Sequence, residues 1–229
     1  MLRKRPGLDM SEPHPHNVFV AGGTGYVGRA ALHTLLTRGH TVRALVRPGS
    51  EGKLPGGVSA VAGNALARET FASSIMPCDT FLQLVGVAHP SPSKVREFRE
   101  IDLASARESA TAAREARVAH FVYLSVAQPA PAMKAYVAAR AQAEALIRAT
   151  GMNATFLRPW YVLGPGHRWP ALLQPGYWLA ERLPATRETA RRIGLVTLSQ
   201  MVASIVGAIE NPARGIRIVP VPEIRAARL

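Results

Sequence analysis

The sequence predicts an α/β fold, a doubly wound parallel sheet with a small C-terminal lobe packed on the same domain. Three observations carry that prediction. A short apolar run, residues 18–21, feeds a glycine cluster, Gly22-Gly23-Thr24-Gly25-Tyr26-Val27-Gly28, and the chain then turns helical. Strand-like and helix-like segments alternate from there to residue 157, the order produced by parallel strands joined through crossover helices. After Arg158 the alternation gives way to a stretch rich in Pro and Trp.

Residues 1–16 are polar, carry Pro and His, and read as a disordered lead, with Met1 or Met10 as the start. The glycine cluster satisfies both G-x-G-x-x-G (Gly23, Gly25, Gly28) and G-x-x-G-x-x-G (Gly22, Gly25, Gly28). Glycines here allow a tight turn and let backbone N–H groups approach a pyrophosphate, while Gly28 lets the following helix pack closely. The open N–H groups and the helix dipole then favour an anion. A plain glycine-rich turn is the alternative, but the strand before and the helix after are the context the motif requires.

Residues 29–38 form the first helix, with Ala30, Ala31, Leu32, Leu35 and Leu36 as its buried stripe and Gly39 ending it. The β-branched run 41–46 is the second strand, broken by Pro48 and Gly49. Residues 58–62 are the third strand, 71–76 a short helix and 80–87 the fourth strand. A long helix over 95–116 turns Phe98, Ile101, Ala104 or Ser105, and Ala112 inward. Residues 121–126 are the fifth strand, 133–150 an alanine-rich helix and 154–157 the sixth strand. Residues 17–166 thus read as one Rossmann-type nucleotide-binding domain. In the lobe, 167–229, Thr197 to Gln200 forms a capping box for a helix with Leu198, Met201, Val202, Ile205 and Ile209 on one face, and 215–221 is a last strand.

Composition narrows the class. The chain has 229 residues, 48% hydrophobic, enough for one sizeable core. A single cysteine, Cys78, excludes an internal disulfide and a cysteine metal cluster; no metal site is expected, and a reducing compartment, the cytoplasm, is the simplest setting. No apolar run reaches eighteen residues, so no transmembrane helix is expected. The formal charge is +13, and all but four of the 28 basic residues are Arg. They are scattered and no recognition motif accompanies them, so nucleic-acid binding is disfavoured against a basic surface that attracts anionic cofactors.

The second strand selects the cofactor. A dinucleotide carrying a free ribose 2′-OH calls for an acid at the end of that strand. No Asp or Glu occurs between Tyr26 and Ser50; Arg43 and Arg47 occupy the same side of the alternating strand instead. A guanidinium there can pair bidentately with a 2′-phosphate. NADP is therefore expected over NAD, with Arg47 ahead of Arg43.

G-G-T-G-Y-V-G, the arginine after the second strand, Phe121-Val-Tyr-Leu-Ser-Val and Phe156-Leu-Arg-Pro-Trp-Tyr-Val-Leu-Gly-Pro-Gly together resemble the atypical or extended short-chain dehydrogenases/reductases. The nearest flavour is the NAD(P)H-binding group that includes NmrA-like regulators and the accessory NADPH-binding subunit of respiratory complex I. The resemblance implies a Ser, a Tyr and a Lys four residues on as the catalytic set. Ser125 and Tyr136 match, but Arg140 stands where the Lys belongs. Arg140 keeps the charge and loses the capacity for proton relay; its alternative role is an exposed helix charge paired with Glu144. The resemblance further implies that Asn64 touches the adenine amino group through its carbonyl, that Leu84, Val85 and Gly86 border the ribose and adenine, and that Pro159 lines the nicotinamide, beside Ser125, Tyr136 and Arg140. Trp160, Tyr161, Trp169, Leu172, Leu173, Tyr177 and Trp178 could wall a large apolar pocket, or equally form the lobe's core or a partner interface.

Three functions follow. One is an NADP-dependent oxidoreductase acting on a small or apolar, quinone-like carbonyl compound, with Tyr136 as acid/base, Ser125 orienting the oxygen and Arg140 electrostatic. Another is a non-catalytic NADP(H)-binding sensor or accessory subunit. A sugar-nucleotide epimerase or dehydratase is a third, disfavoured by the small lobe.

Overall fold

The computed structural model describes residues 15–166, 180, 182–184 and 186–229. Nine strands are described. β1 (Asn17–Ala21), β2 (Thr41–Val46), β3 (Ser59–Ala62), β4 (Thr80–Gln83), β5 (His120–Leu124), β6 (Asn153–Arg158) and β9 (Ile216–Pro220) form one sheet in the order β3-β2-β1-β4-β5-β6-β9. Every pairing in it is parallel. β7 (Tyr161–Leu163) and β8 (Leu195–Thr197) make a separate parallel pair. The order reverses between β1 and β4, the point where a doubly wound sheet opens a crevice at its carboxyl edge.

Alternation along the central strands builds a core on each face. Val18 and Val20 of β1 face one way, with Leu32 and Leu35 of α1 (Tyr26–Thr37) and with Met201, Val202 and Ile205 from a late helix, Leu198–Glu210. Phe19 and Ala21 face the other way, with Phe81, Phe121, Phe156, Ala110 and Ile147. Register puts Phe19 beside Phe81 and Phe81 beside Phe121. Their rings sit 5.2 and 5.3 Å apart, the second pair stacked at 11°, so three neighbouring strands share one aromatic row.

The elements match the expected order, with informative departures. β4 ends at Gln83, not at Val87. The last bond to β1 runs from Leu84 N–H to Ala21 C=O, and beyond it the chain passes the ends of its neighbours and lines the crevice. The helix expected over 71–76 is two short 3₁₀ turns, Arg68–Thr70 and Ala72–Ser74, before Pro77, which cannot continue a helix. The long helix comprises α2 (Val95–Glu97), a π-helical turn at Phe98–Leu103 and α3 (Ala104–Glu115). α4 is Lys134–Ala149.

Three helices complete the described chain: α5 (Arg187–Arg192), α6 (Leu198–Glu210) and α7 (Val221–Ala226). The capping box at the start of α6 forms in full, Thr197 accepting from Gln200 N–H and Gln200 accepting from Thr197 N–H. The final strand joins the main sheet alongside β6. The C-terminal stretch is therefore partly integral to the sheet and not only a lobe laid over it.

Candidate functional site

A cavity of about 770 Å³ opens at the carboxyl ends of β1 to β4. Gly22, Thr24, Gly25, Arg47, Asn64, Leu84, Val85 and Gly86, all expected from the sequence, line it. The glycine turn is shaped by close approach. Gly22 has φ +90°, and a Cβ there would lie 2.8 Å from the backbone of Leu84 and Val85. α1 starts after Gly25 with neither a side-chain cap nor an acidic residue in its first turn. Its leading N–H groups therefore present a positive, unfilled cradle suited to a phosphate. Gly23, Val27 and Gly28 lie behind the cradle, Gly23 and Gly28 buried and Val27 packed on the core. The Tyr26 hydroxyl lies against Gly164, away from the cavity.

The two arginines of the second strand separate. Arg47 lies just past β2, exposed at the cavity wall, with no ion pair among the described residues. Arg43 is not brought to the cavity. Its guanidinium donates to the carbonyls of Ile75 and Pro77 and lies 5.9 Å over the Phe19 ring. It clamps the turn before β4, and its expected part in holding the cofactor is not supported by this position. Asn64 also differs from expectation. Its Oδ1 accepts from Leu66 N–H at 3.0 Å, so the carbonyl expected to meet adenine is engaged in a turn.

Behind Gly86 lies a buried ion pair. Arg140 from α4 is 4% exposed and Asp102 from the π-helical turn is fully buried. Arg140 Nη2 lies 2.5 Å from Asp102 Oδ1, while its Nη1 donates to Leu124 C=O (2.8 Å) and to the Tyr123 hydroxyl (3.2 Å). Asp102 Oδ2 accepts from Val87 N–H at 3.1 Å. A Cβ at residue 86 would sit 2.1 Å from Arg140 Nη2, so only glycine lets the guanidinium lie against that wall. Burial pushes the Asp102 carboxyl up from its ordinary value, against the pull of Arg140. Burial likewise pushes the Tyr123 hydroxyl up to about 12, opposed by the same cation. Arg140 is thus neither exposed nor paired with Glu144, the alternative open to it on sequence. Tyr136 is half-buried above it, 5.2 Å from the guanidinium carbon and 5.0 Å from the Phe98 ring.

Ser125 is turned to another partner. Its hydroxyl donates to Glu144 Oε1 at 2.6 Å. The same carboxylate accepts from Gln128 Nε2 (2.8 Å) and from Arg158 through Nε (2.9 Å) and Nη2 (2.5 Å). This cluster ties α4 to the ends of β5 and β6. Pro159 follows directly, its carbonyl accepting from Ala127 N–H. Trp160 is partly buried against the core and Tyr161 opens β7. Trp169, Leu172, Leu173, Tyr177 and Trp178 lie outside the described residues.

A crevice at the strand-order reversal, with a glycine cradle and a cation beyond the second strand, is built for a dinucleotide. A family model described as NAD(P)H-binding matches residues 22–169. The chain belongs to this NAD(P)H-binding family. Among curated relatives, a 4-hydroxy-2-methyl-3-oxo-4-farnesyl-3,4-dihydroquinoline-1-oxide ketoreductase of Stigmatella aurantiaca is 28% identical over 168 residues, 64% of this chain and 50% of that protein. A ceramide reductase of Caulobacter vibrioides is 26% identical over 204 residues, 87% of this chain and 62% of the relative. The chain thus spans one half to five-eighths of the length of these two relatives. A short-chain dehydrogenase/reductase superfamily protein from Agrobacterium tumefaciens, solved with bound NAD, superposes with TM-score 0.63 at 22% identity, covering 92% of this chain and 82% of the other. The fold is that of the superposed short-chain dehydrogenase/reductase protein.

Sequence reasoning missed Asp102 and the roles of Glu144 and Arg158. A signal for the first was present. Phe98, Asp102, Ala106 and Ala110 recur at four-residue spacing and are all buried, so Asp102 sits in the apolar stripe of its helix, where a lone carboxylate requires a partner.

Proposed function

We propose that this NAD(P)H-binding protein is an NADP(H)-dependent reductase acting on a carbonyl of a bulky apolar or quinone-like compound. The observation that carries the cofactor preference is Arg47, a cation without an ion-pair partner among the described residues, at the cavity wall just past β2. The absence of any acid between Tyr26 and Ser50 supports the same reading. The substrate class is supported by the two curated relatives, which are named as reductases of a farnesylated dihydroquinoline oxide and of ceramide.

The dinucleotide supplies the hydride when bound. Gly22, Thr24 and Gly25 hold its pyrophosphate, and Arg47 its 2′-phosphate. Tyr136 passes a proton to the substrate oxygen as charge develops there. Arg140 contributes fixed positive charge beneath the Tyr136 ring and cannot itself relay a proton. Ser125, with its proton engaged by Glu144, aligns α4 against β5 and does not orient substrate.

The engagement of both Arg140 and Ser125 by protein partners also favours a second reading, a non-catalytic NADP(H) sensor or accessory subunit. The cofactor assignment, common to both readings, is tested first, and turnover then separates them. NADPH should raise the melting temperature more than NADH at equal concentration, and Arg47→Ala should cost about tenfold or more in NADPH affinity while leaving NADH nearly unchanged. Equal shifts with the two cofactors would remove the NADP assignment. NADPH oxidation with a panel of apolar ketones and quinones should then fall by about 100-fold or more in Tyr136→Phe; turnover indifferent to that change would rule out Tyr136 as the acid.

A further inference from the structure

We propose that Asn64 reverses the polarity with which the cavity reads the six-position of the cofactor's purine, offering a donor where a carboxylate would offer an acceptor. A 6-oxopurine dinucleotide is then accepted alongside the 6-amino form. This rests on the cavity holding a nicotinamide dinucleotide.

Strand order locates the base. β3 lies beside β2 at the sheet edge, so the chain leaving β3 borders the site next to Arg47. Asn64, Ala65 and Leu66 line the cavity there, with Leu84, Val85 and Ile101 from other segments. These apolar walls suit the faces of a flat ring and leave its edge to a polar group.

Asn64 is held at every other atom that can hydrogen-bond. Its N–H donates to Thr70 Oγ1 at 2.9 Å, and its C=O accepts from Ala67 N–H at 2.9 Å and from Thr70 Oγ1 at 3.3 Å. Its Oδ1 accepts from Leu66 N–H at 3.0 Å. The bond from Leu66 N–H sets the amide orientation and leaves Nδ2 with two protons to donate. An aspartate in the same turn would keep the bond to Leu66 and present a second acceptor oxygen. The exchange replaces an acceptor for an exocyclic amine by a donor that opposes the amine and suits a carbonyl.

Besides Thr24 and Arg47, two other polar side chains line the cavity. Lys94 donates its Nζ to Ala88 C=O at 2.7 Å. Glu97 is the rival, since its carboxylate could accept from a purine amine.

The test is equilibrium binding of NADPH and of its hypoxanthine analogue, deamino-NADPH, to the full chain, read by nicotinamide fluorescence. The unaltered protein should bind the two within about threefold. Asn64→Asp, which retains the turn, should raise the preference for the amino form by about tenfold. A preference for the amino form above about threefold in the unaltered protein overturns the proposal, as does a ratio that moves less than about threefold in Asn64→Asp. A ratio that moves in Glu97→Gln in place of Asn64→Asp also overturns it and gives the reading of the base to Glu97. Failure to bind either dinucleotide would instead remove the cofactor assignment, and this proposal with it.

Discussion

Asp102 and Arg140 show how much of this site is decided one side chain at a time. Arg140 brings a permanent charge into a place almost without water, and Asp102, the Tyr123 hydroxyl and the Leu124 carbonyl answer it there. Such a pair adds little net stability over an apolar filling, but losing one partner strands the other. Asp102→Ala should therefore cost about 3–5 kcal/mol, measured by urea unfolding, far more than a surface carboxylate such as Glu100, whose partner Arg96 is mostly exposed. The placements legible in the sequence were local ones: Gly22 and Gly25 in the turn, Arg47 just past its strand. Asp102, Glu144 and the commitment of Arg43 were not, because their partners come from other elements and only the folded chain brings them together. Arg140 stood out by departing from the Tyr-x-x-x-Lys pattern, yet its burial was invisible because Glu144, four residues on, offered it a surface partner.

At the scale of elements, periodicity gave every strand of the sheet and all the longer helices to within a few residues. Errors gathered where a neighbour ends or a helix changes its pitch. β4 was expected to continue through Val87, but its pairing with β1 stops at Ala21 and with β5 at Tyr123. The π-helical turn at Phe98–Leu103 carries Asp102 beneath Gly86 and Val87. Such turns often accompany functional sites. The capping box of α6 was legible because it depends on two residues three apart. Thr197→Ala should lower stability by about 1 kcal/mol, seen as a lower urea midpoint at unchanged slope, and leave NADPH binding intact because α6 packs on the face away from Arg140.

For the molecule as a whole, His120 links pH to stability. It is fully buried, its Nε2 lying 3.0 Å from Thr155 Oγ1 and accepting from Ala213 N–H at 3.4 Å. Burial, with a smaller contribution from His16, pushes the imidazole down to about 4. In the unfolded chain it titrates near 6.5, so between those values the unfolded state binds the extra proton. Its contribution is complete above the unfolded value and is lost as pH falls toward the folded one. That amounts to about 2 kcal/mol between pH 7 and pH 5, and His120→Asn should flatten that part of the curve of unfolding free energy against pH.

The pairing of β7 with β8 has a consequence for how this scaffold can be varied. Tyr161 pairs with Leu195 and Leu163 with Thr197, so the strands on either side of 164–194 lie side by side, and β9 completes the sheet afterwards. The two strands that flank the intervening chain are thus fixed to each other. Doubling the length of such a segment costs only about 0.6 kcal/mol in closure entropy. With Gly164 kept against the Tyr26 hydroxyl, the chain between β7 and β8 can therefore change in size at little cost in closure entropy, and substrate choice can diverge while the glycine turn and Arg47 stay unchanged.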